Sequence, residues 1–174
     1  MKKVFTSILL FSFTFCKAQP DTAISYTGIE VNNVQQMNLY SRARSWVDNN
    51  FKNMRAVLSI NDKETGELAG KGIMKFEIGY MGKDRNMVPV TIEFKMDIRV
   101  KDGKYKYDFS DFDVLEFWDQ RSDIGILTSN STHQWFGTKK WSAIAYQETK
   151  DKVNDQMQDL IISLKDAMNK NNDF

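Results

Sequence analysis

The chain has little of the chemistry on which many enzymes and metal sites depend. Its 174 residues include one cysteine, Cys16, and one histidine, His133. A single histidine excludes a metal centre built from several histidines of one chain. No stretch has the glycine spacing of either common phosphate-binding loop. We therefore expect no catalytic residues, no cofactor and no metal, and predict a function that is not enzymatic.

The only cysteine directly follows an apolar run at the start of the chain. Lys2 and Lys3 precede residues 4–15, which carry no charge and are too few for a membrane-spanning helix of about 20 residues. A basic start and a short apolar run are typical of a secretory signal peptide. We predict that residues 1–18 are this signal, with cleavage near Ala18 and export to the periplasm or the extracellular space. The alternative is a lipoprotein anchored through Cys16.

Loss of the signal changes the charge balance and with it the expected partners. Residues 1–18 hold three lysines and no acid, so lysine plus arginine falls from 24 to 21 against 23 acids, and the formal charge falls from +1 to −2. This balance gives no electrostatic reason to expect nucleic acid or an anionic membrane as a partner. With only two prolines and no linker, residues 19–174 are predicted to form a single two-layer α/β domain without an integral membrane span.

Two central segments alternate strictly between apolar and polar residues. From Val88 to Val100, every second residue is apolar, and the residues between them are mostly charged. From Leu68 onward the pattern is the same, except that Gly70 and Gly72 stand among the apolar positions. Alternation of this kind indicates an antiparallel sheet with one face buried and one in water. The two glycines allow close approach of a helix through Trp46, or they mark a twist or bulge.

A third strand follows the turn signal "KDGK", and its alternation breaks near Asp111. Tyr105, Tyr107 and Phe109 share one face, whereas Phe112 follows the other phase. A bulge at residues 110–111 would bring both sets to the same face.

Helical spacing of apolar residues appears twice. It predicts one helix from about Met37 to Phe51, and a long C-terminal helix that begins near Trp141. Further strands are predicted at residues 24–31 and 56–60, and residues 115–139 are predicted to be a long connection. The order β-α-β-β-β-β-α predicts an α+β fold: a two-layer sandwich in which both helices cover one face of an antiparallel sheet and the other face is wet.

Several of these segments resemble a family of exported bacterial proteins. The stretches "LYSRARSWVDNNF", "DKETGELAGKGIMKF" and "KDGKYKYDFSDF", followed by the long helix, are similar to domain of unknown function 4468. The likeness spans residues 24–168 in element order and is strongest at 56–76 and 101–112. It implies a TATA-binding-protein-like fold and export, and it supplies no catalytic residues.

The fold family suggests binding on the exposed sheet face. The basic residues predicted for that face, Lys104 and Lys106 among them, are interleaved with acids such as Asp97 and Asp108, which disfavours DNA. The long connection has an aromatic cluster, and long loops are often functional. Trp118, His133, Trp135 and Phe136 are therefore the candidate interaction residues, and the alternative is that the aromatics close one end of the core.

We predict an exported, non-enzymatic binding or accessory module whose partner is a protein or an envelope component. The alternative is a carrier of an apolar small molecule, held between the sheet and the C-terminal helix. The sequence does not specify the oligomeric state.

Overall fold

Strands dominate the part of the chain that the structure describes. The computed structural model describes residues 21–51, 57–79, 87–118, 120–130 and 140–170. Within them the elements are β1 (Tyr26–Val31), α1 (Gln36–Asn50), β2 (Leu58–Asp62), β3 (Glu67–Gly79), β4 (Met87–Lys101), β5 (Lys104–Phe117), β6 (Gln120–Ile126) and α2 (Lys140–Asn169).

The described strands form one antiparallel sheet in the order β1-β5-β4-β3-β2. Strand β5 is long enough to have two partners along one edge: β1 pairs with its residues 104–109, and β6 pairs with its residues 113–117. Strands β3, β4 and β5 are the centre of the sheet, and β1 lies at one edge with β2 at the other.

Both helices pack on the same face of the sheet, which confirms the predicted two-layer sandwich. The buried side of α1 includes Leu39, Trp46 and Val47, and α2 buries residues from Val153 to Met168 at helical spacing. The alternating apolar residues of the three central strands supply the other half of this core. The opposite face of the sheet carries mainly charged side chains, as the alternation predicts.

The predicted bulge in β5 is confirmed. Glu93 pairs with Asp113 and Lys95 pairs with Ser110, so three steps along β5 span two steps along β4. Asp111 is the extra residue and has a φ of 52°, a left-handed conformation that aspartate tolerates better than most residues. Because of this extra residue, Phe109 and Phe112 both lie in the core and are fully buried.

The long connection predicted for residues 115–139 is partly wrong. Strand β5 continues through Phe117, and β6 occupies residues 120–126 within the predicted connection. The sequence of β6 has little apolar alternation, since Ile124 is its one buried residue among those whose side chains are described. Pairing with β5 defines this strand, and such pairing is a tertiary effect that leaves little local signal.

The predicted signal peptide lies in residues 1–20, outside the described ranges, and stays a prediction. Neither α1 nor α2, the two helices named above, is both long and apolar enough to cross a membrane.

Candidate interaction surface

The face of the sheet opposite the helices is a charged surface on which several opposite charges form ion pairs. Lys71 Nζ lies 2.7 Å from Glu93 Oε1, and Lys95 Nζ lies 2.6 Å from Asp111 Oδ2. Pairs as exposed as these contribute little to stability, but they neutralise the centre of the face.

Arg99 is also neutralised on this face. Its Nη2 atom lies 3.0 Å from Glu67 and 2.9 Å from Asp97. The hydrogen bond to Asp97, together with the two carboxylate charges, raises the pKa of the Arg99 guanidinium above its usual value.

Three lysines at the β4–β5 hairpin have no acidic partner among the described residues, unlike Lys71, Lys95 and Arg99. Lys101, Lys104 and Lys106 are exposed, and none of them forms an ion pair with another described residue. Lys101 pairs across the hairpin with Lys104, and Arg99 pairs with Lys106. Like charges directly opposite each other in a sheet are destabilising, so this lysine cluster (Lys101, Lys104 and Lys106) adds nothing favourable to the isolated fold.

Two hydrogen bonds fix the turn between β4 and β5, next to the lysine cluster. Gly103 has a φ of 75°, which the tight Asp102-Gly103 turn requires. The Gly103 N–H donates to the carbonyl oxygen of Val34 at 3.0 Å. The Asp102 carboxylate accepts a hydrogen bond from the backbone N–H of Gln36, at 2.7 Å, at the start of α1. A carboxylate at a helix N-terminus is favourable, so the same bond positions the hairpin and stabilises α1.

Apolar side chains of β1 lie beside the lysines on the same face. Ile29 is 69% exposed and Val31 is 83% exposed. Ile29 pairs with Lys106, and Val31 pairs with Lys104. We call these two residues and the lysine cluster together the basic–apolar surface.

A shallow hollow of about 230 Å³ lies within this surface, between Ile29 and the basic side chains, with Tyr105 beneath it. Burial raises the pKa of the Tyr105 phenol to about 12, and the negative charge of Glu30 adds to the shift. The Tyr105 side chain is 2% exposed and belongs to the core, so it places no charged group at the hollow.

The described side chains between the sheet and the helices are deeply buried. Phe94, Met96 and Met157 are at most 2% exposed. A larger groove of about 470 Å³ lies outside this core, between α1 and α2, and is lined mainly by serine, asparagine and charged side chains. Its lining does not match the apolar ligand of the carrier hypothesis.

Of the four candidate residues from the sequence, Trp118 alone lies in the described ranges. It occupies the turn between β5 and β6 with a φ of 59°, it is 47% exposed, and its backbone N–H donates to the Pro89 carbonyl at 3.0 Å. His133, Trp135 and Phe136 fall in residues 131–139, outside those ranges.

Sequence reasoning missed Ile29 and Val31, although it placed Lys104 and Lys106 on the wet face. The signal was present but ambiguous, because β1 reads YTGIEV and has apolar residues in both phases. Across the described residues, no group of three or more histidine, cysteine or acidic side chains is placed to hold a metal ion.

Comparison with known proteins places the chain in a family. The model of the family described as "Domain of unknown function (DUF4468) with TBP-like fold" matches residues 26–114. This is just over half of the chain and includes β1 to β4 and most of β5. The chain belongs to this family. A comparison with curated proteins finds no match.

Two solved structures share the fold at low sequence identity. A DUF4468 family protein from Bacteroides ovatus superposes with a TM-score of 0.57 at 11% identity, covering 87% of this chain and 90% of that one. A TBP-like protein from Parabacteroides distasonis gives 0.50 at 16% identity, covering 82% and 93%. At these identities the likeness supports the fold and carries no function across.

Proposed function

We propose that this protein is an exported, non-enzymatic binding module of the bacterial envelope, and that it engages a protein partner through the basic–apolar surface. One observation carries the proposal: the β4–β5 hairpin places three lysines, none with an ion-pair partner among the described residues, beside two exposed aliphatic side chains. This arrangement costs stability in the isolated chain, and a partner that supplies acids and apolar contacts would offset that cost.

The same face argues against nucleic acid as the partner. Glu67, Asp97 and Asp108 lie on it around Arg99, and three acids against one guanidinium leave a net negative charge that would repel a phosphate backbone. A protein partner can place its own charges so that these acids are avoided, which a uniformly charged polymer cannot do.

Site-specific photo-crosslinking tests the position of the surface. Ile29 and Ile162 are both exposed isoleucines, 69% and 55%, but Ile162 lies on α2, on the helix side of the molecule. With benzoylphenylalanine at each position in turn, we expect position 29 to give a discrete crosslinked product in living cells, several-fold above position 162. Gel mobility and mass spectrometry measure the product. Equal crosslinking from both positions would contradict the proposal.

Intact-mass measurement tests the export part of the proposal. We expect the exported protein to have the mass of residues 19–174, because a basic start, a short apolar run and Ala18 match a cleaved signal. Cys16 is then lost, and the mature chain has no thiol. A diacylglyceryl mass on Cys16 would instead establish the lipoprotein alternative, and the mass of the whole chain would refute cleavage.

A further inference from the structure

The outer edge of β1 presents backbone groups that are available for pairing. In the described sheet, β1 pairs with β5 on one side and with no strand on the other. The Asn32 N–H donates to the Gly103 carbonyl at 2.8 Å, so Asn32 faces the β5 side. Because N–H and C=O groups alternate sides along a strand, Thr27, Ile29 and Val31 direct theirs away from β5.

This edge lacks the usual protection against pairing. Natural edge strands often carry lysine, proline or an inward-pointing charge that discourages a second strand. Thr27, Ile29 and Val31 supply none of these on the wet face. The only charge of β1, Glu30, points to the helix side, where its Oε1 atom lies 2.6 Å from Lys165 Nζ.

The side chains around the edge specify the chemistry of a strand that could pair there. An added strand would lie about 5 Å from β1 and about 10 Å from β5, given the spacing of strands in a sheet. Glutamates on its wet face opposite Ile29 and Val31 could pack their methylene groups on these side chains and extend their carboxylates toward Lys104 and Lys106. The position opposite Thr27 would face Asp108 and suits a residue without negative charge. A second copy of this chain, paired β1 to β1, would bring aliphatic residues together but would offer the lysines no acids.

We propose that β1 accepts an extended acidic segment of a partner protein as an added strand, with the lysine cluster selecting acidic side chains at alternate positions. Backbone pairing along Thr27, Ile29 and Val31 supplies affinity, and the side chains supply specificity, as in other strand-addition complexes. This inference rests on the proposed function, since it uses the same surface, and adds the class of partner and the mode of binding.

Binding of a defined peptide tests it. The probe is fluorescein-labelled Glu-Val-Glu-Val-Glu-Val-Glu, titrated with the exported protein at low salt and followed by fluorescence anisotropy. We expect saturable binding that weakens as salt rises. The same peptide with lysine in place of glutamate should not bind. A glutamate peptide with N-methyl groups on alternate residues keeps its charge but cannot pair as a strand, and should also fail.

Two protein variants separate backbone pairing from charge. Val31→Pro removes an N–H that points away from β5, a position where an edge strand tolerates proline. It should weaken binding of the glutamate peptide about tenfold, which is equivalent to one lost hydrogen bond.

The double variant Lys104→Glu/Lys106→Glu tests the charges and should abolish binding of the glutamate peptide. Lys75→Glu is the matched control, because it reverses a charge on the same face, on β3, far from β1; its affinity should match that of the unmodified protein. Thermal melting confirms that each variant is folded.

The possible outcomes distinguish this inference from the proposed function. If the double variant loses the peptide but Val31→Pro and N-methylation have no effect, strand addition is refuted and the surface remains a binding site. If the peptide does not bind while position 29 still crosslinks a partner in cells, the acidic partner class is refuted. A dimer that Val31→Pro dissociates, seen by light scattering, would make a second copy the occupant and overturn the inference. Tighter binding of a short DNA duplex would overturn it as well.

Discussion

Phe94→Ala is expected to lower the free energy of unfolding by about 3–5 kcal/mol, the range for loss of a buried phenylalanine ring. Phe94 is 2% exposed. Its ring stacks on Phe112 with centroids 5.5 Å apart and meets Phe109 edge-on at 6.1 Å. It also covers Gly72, which has no side chain to move into the space. The cavity would therefore stay open, which puts the loss in the upper part of the range.

Urea unfolding measures this loss directly, and a domain's total stability of about 5–15 kcal/mol makes it large enough to resolve. Ile73→Ala is the control, because Ile73 is 57% exposed on the wet face of the same sheet; its effect should stay within about 1 kcal/mol, the span of strand propensities. Phe94→Leu should retain much of the stability, since it refills part of the cavity. A loss in Phe94→Ala no larger than that of Ile73→Ala would contradict the packing described here.

The central strands and both helices were predictable because their burial is one-sided. In β4, the residues from Val88 to Val100 alternate between a buried face and a wet one, so apolar residues recur at every second position of the sequence. In α2, Val153, Met157 and Leu164 repeat at helical spacing for the same reason. The bulge at Asp111 was predictable because two buried sets of opposite phase must share one core.

Strand β6 and the basic–apolar surface were not predictable, because both depend on which strands are neighbours. One phase of β1 holds Tyr26 and the other holds Ile29 and Val31, so the sequence alone does not tell whether Ile29 faces the core or water. The position of β1 at the edge of the sheet beside Lys104 and Lys106 is a property of the topology. Local propensity carries no information about such long-range pairing.

For the two glycines of β3, the sequence predicted a close approach or a bulge but not the groups involved. At Gly70 and Gly72 the sequence predicted either close approach of a helix through Trp46 or a twist or bulge, and the structure contains part of each alternative. Gly70 lies under the backbone at the start of β2, where the β2–β3 register shifts. Gly72 lies under the rings of Phe51 and Phe94. Phe51 follows α1 directly and meets the Trp46 ring edge-on at 5.9 Å, so the approaching group is Phe51 and not Trp46.

Gly70→Ala is expected to cost about 2–3 kcal/mol, the upper part of the range for overpacking a close contact. An added Cβ would collide with the carbonyl oxygen of Val57 and lie 2.8 Å from its carbonyl carbon and 2.9 Å from the Leu58 Cα. All three are backbone atoms, so no side-chain rotation relieves the clash. The start of β2 must move away from β3, and the pairing of Leu58 with Gly70 should be lost first.

Gly79→Ala is the matched control, since it makes the same substitution in the same strand. There the nearest atom to an added Cβ is Glu148 Oε1, at 3.5 Å, which is ordinary van der Waals contact. Its stability should change by no more than about 0.5 kcal/mol, with a gain expected from the reduced freedom of the unfolded chain. Urea unfolding compares the two variants, and amide hydrogen exchange should show faster exchange in β2 for Gly70→Ala only. If Gly70→Ala is as stable as Gly79→Ala and β2 keeps its protection, the backbone of Val57 does not lie over Gly70, and the bulge that places it there is wrong.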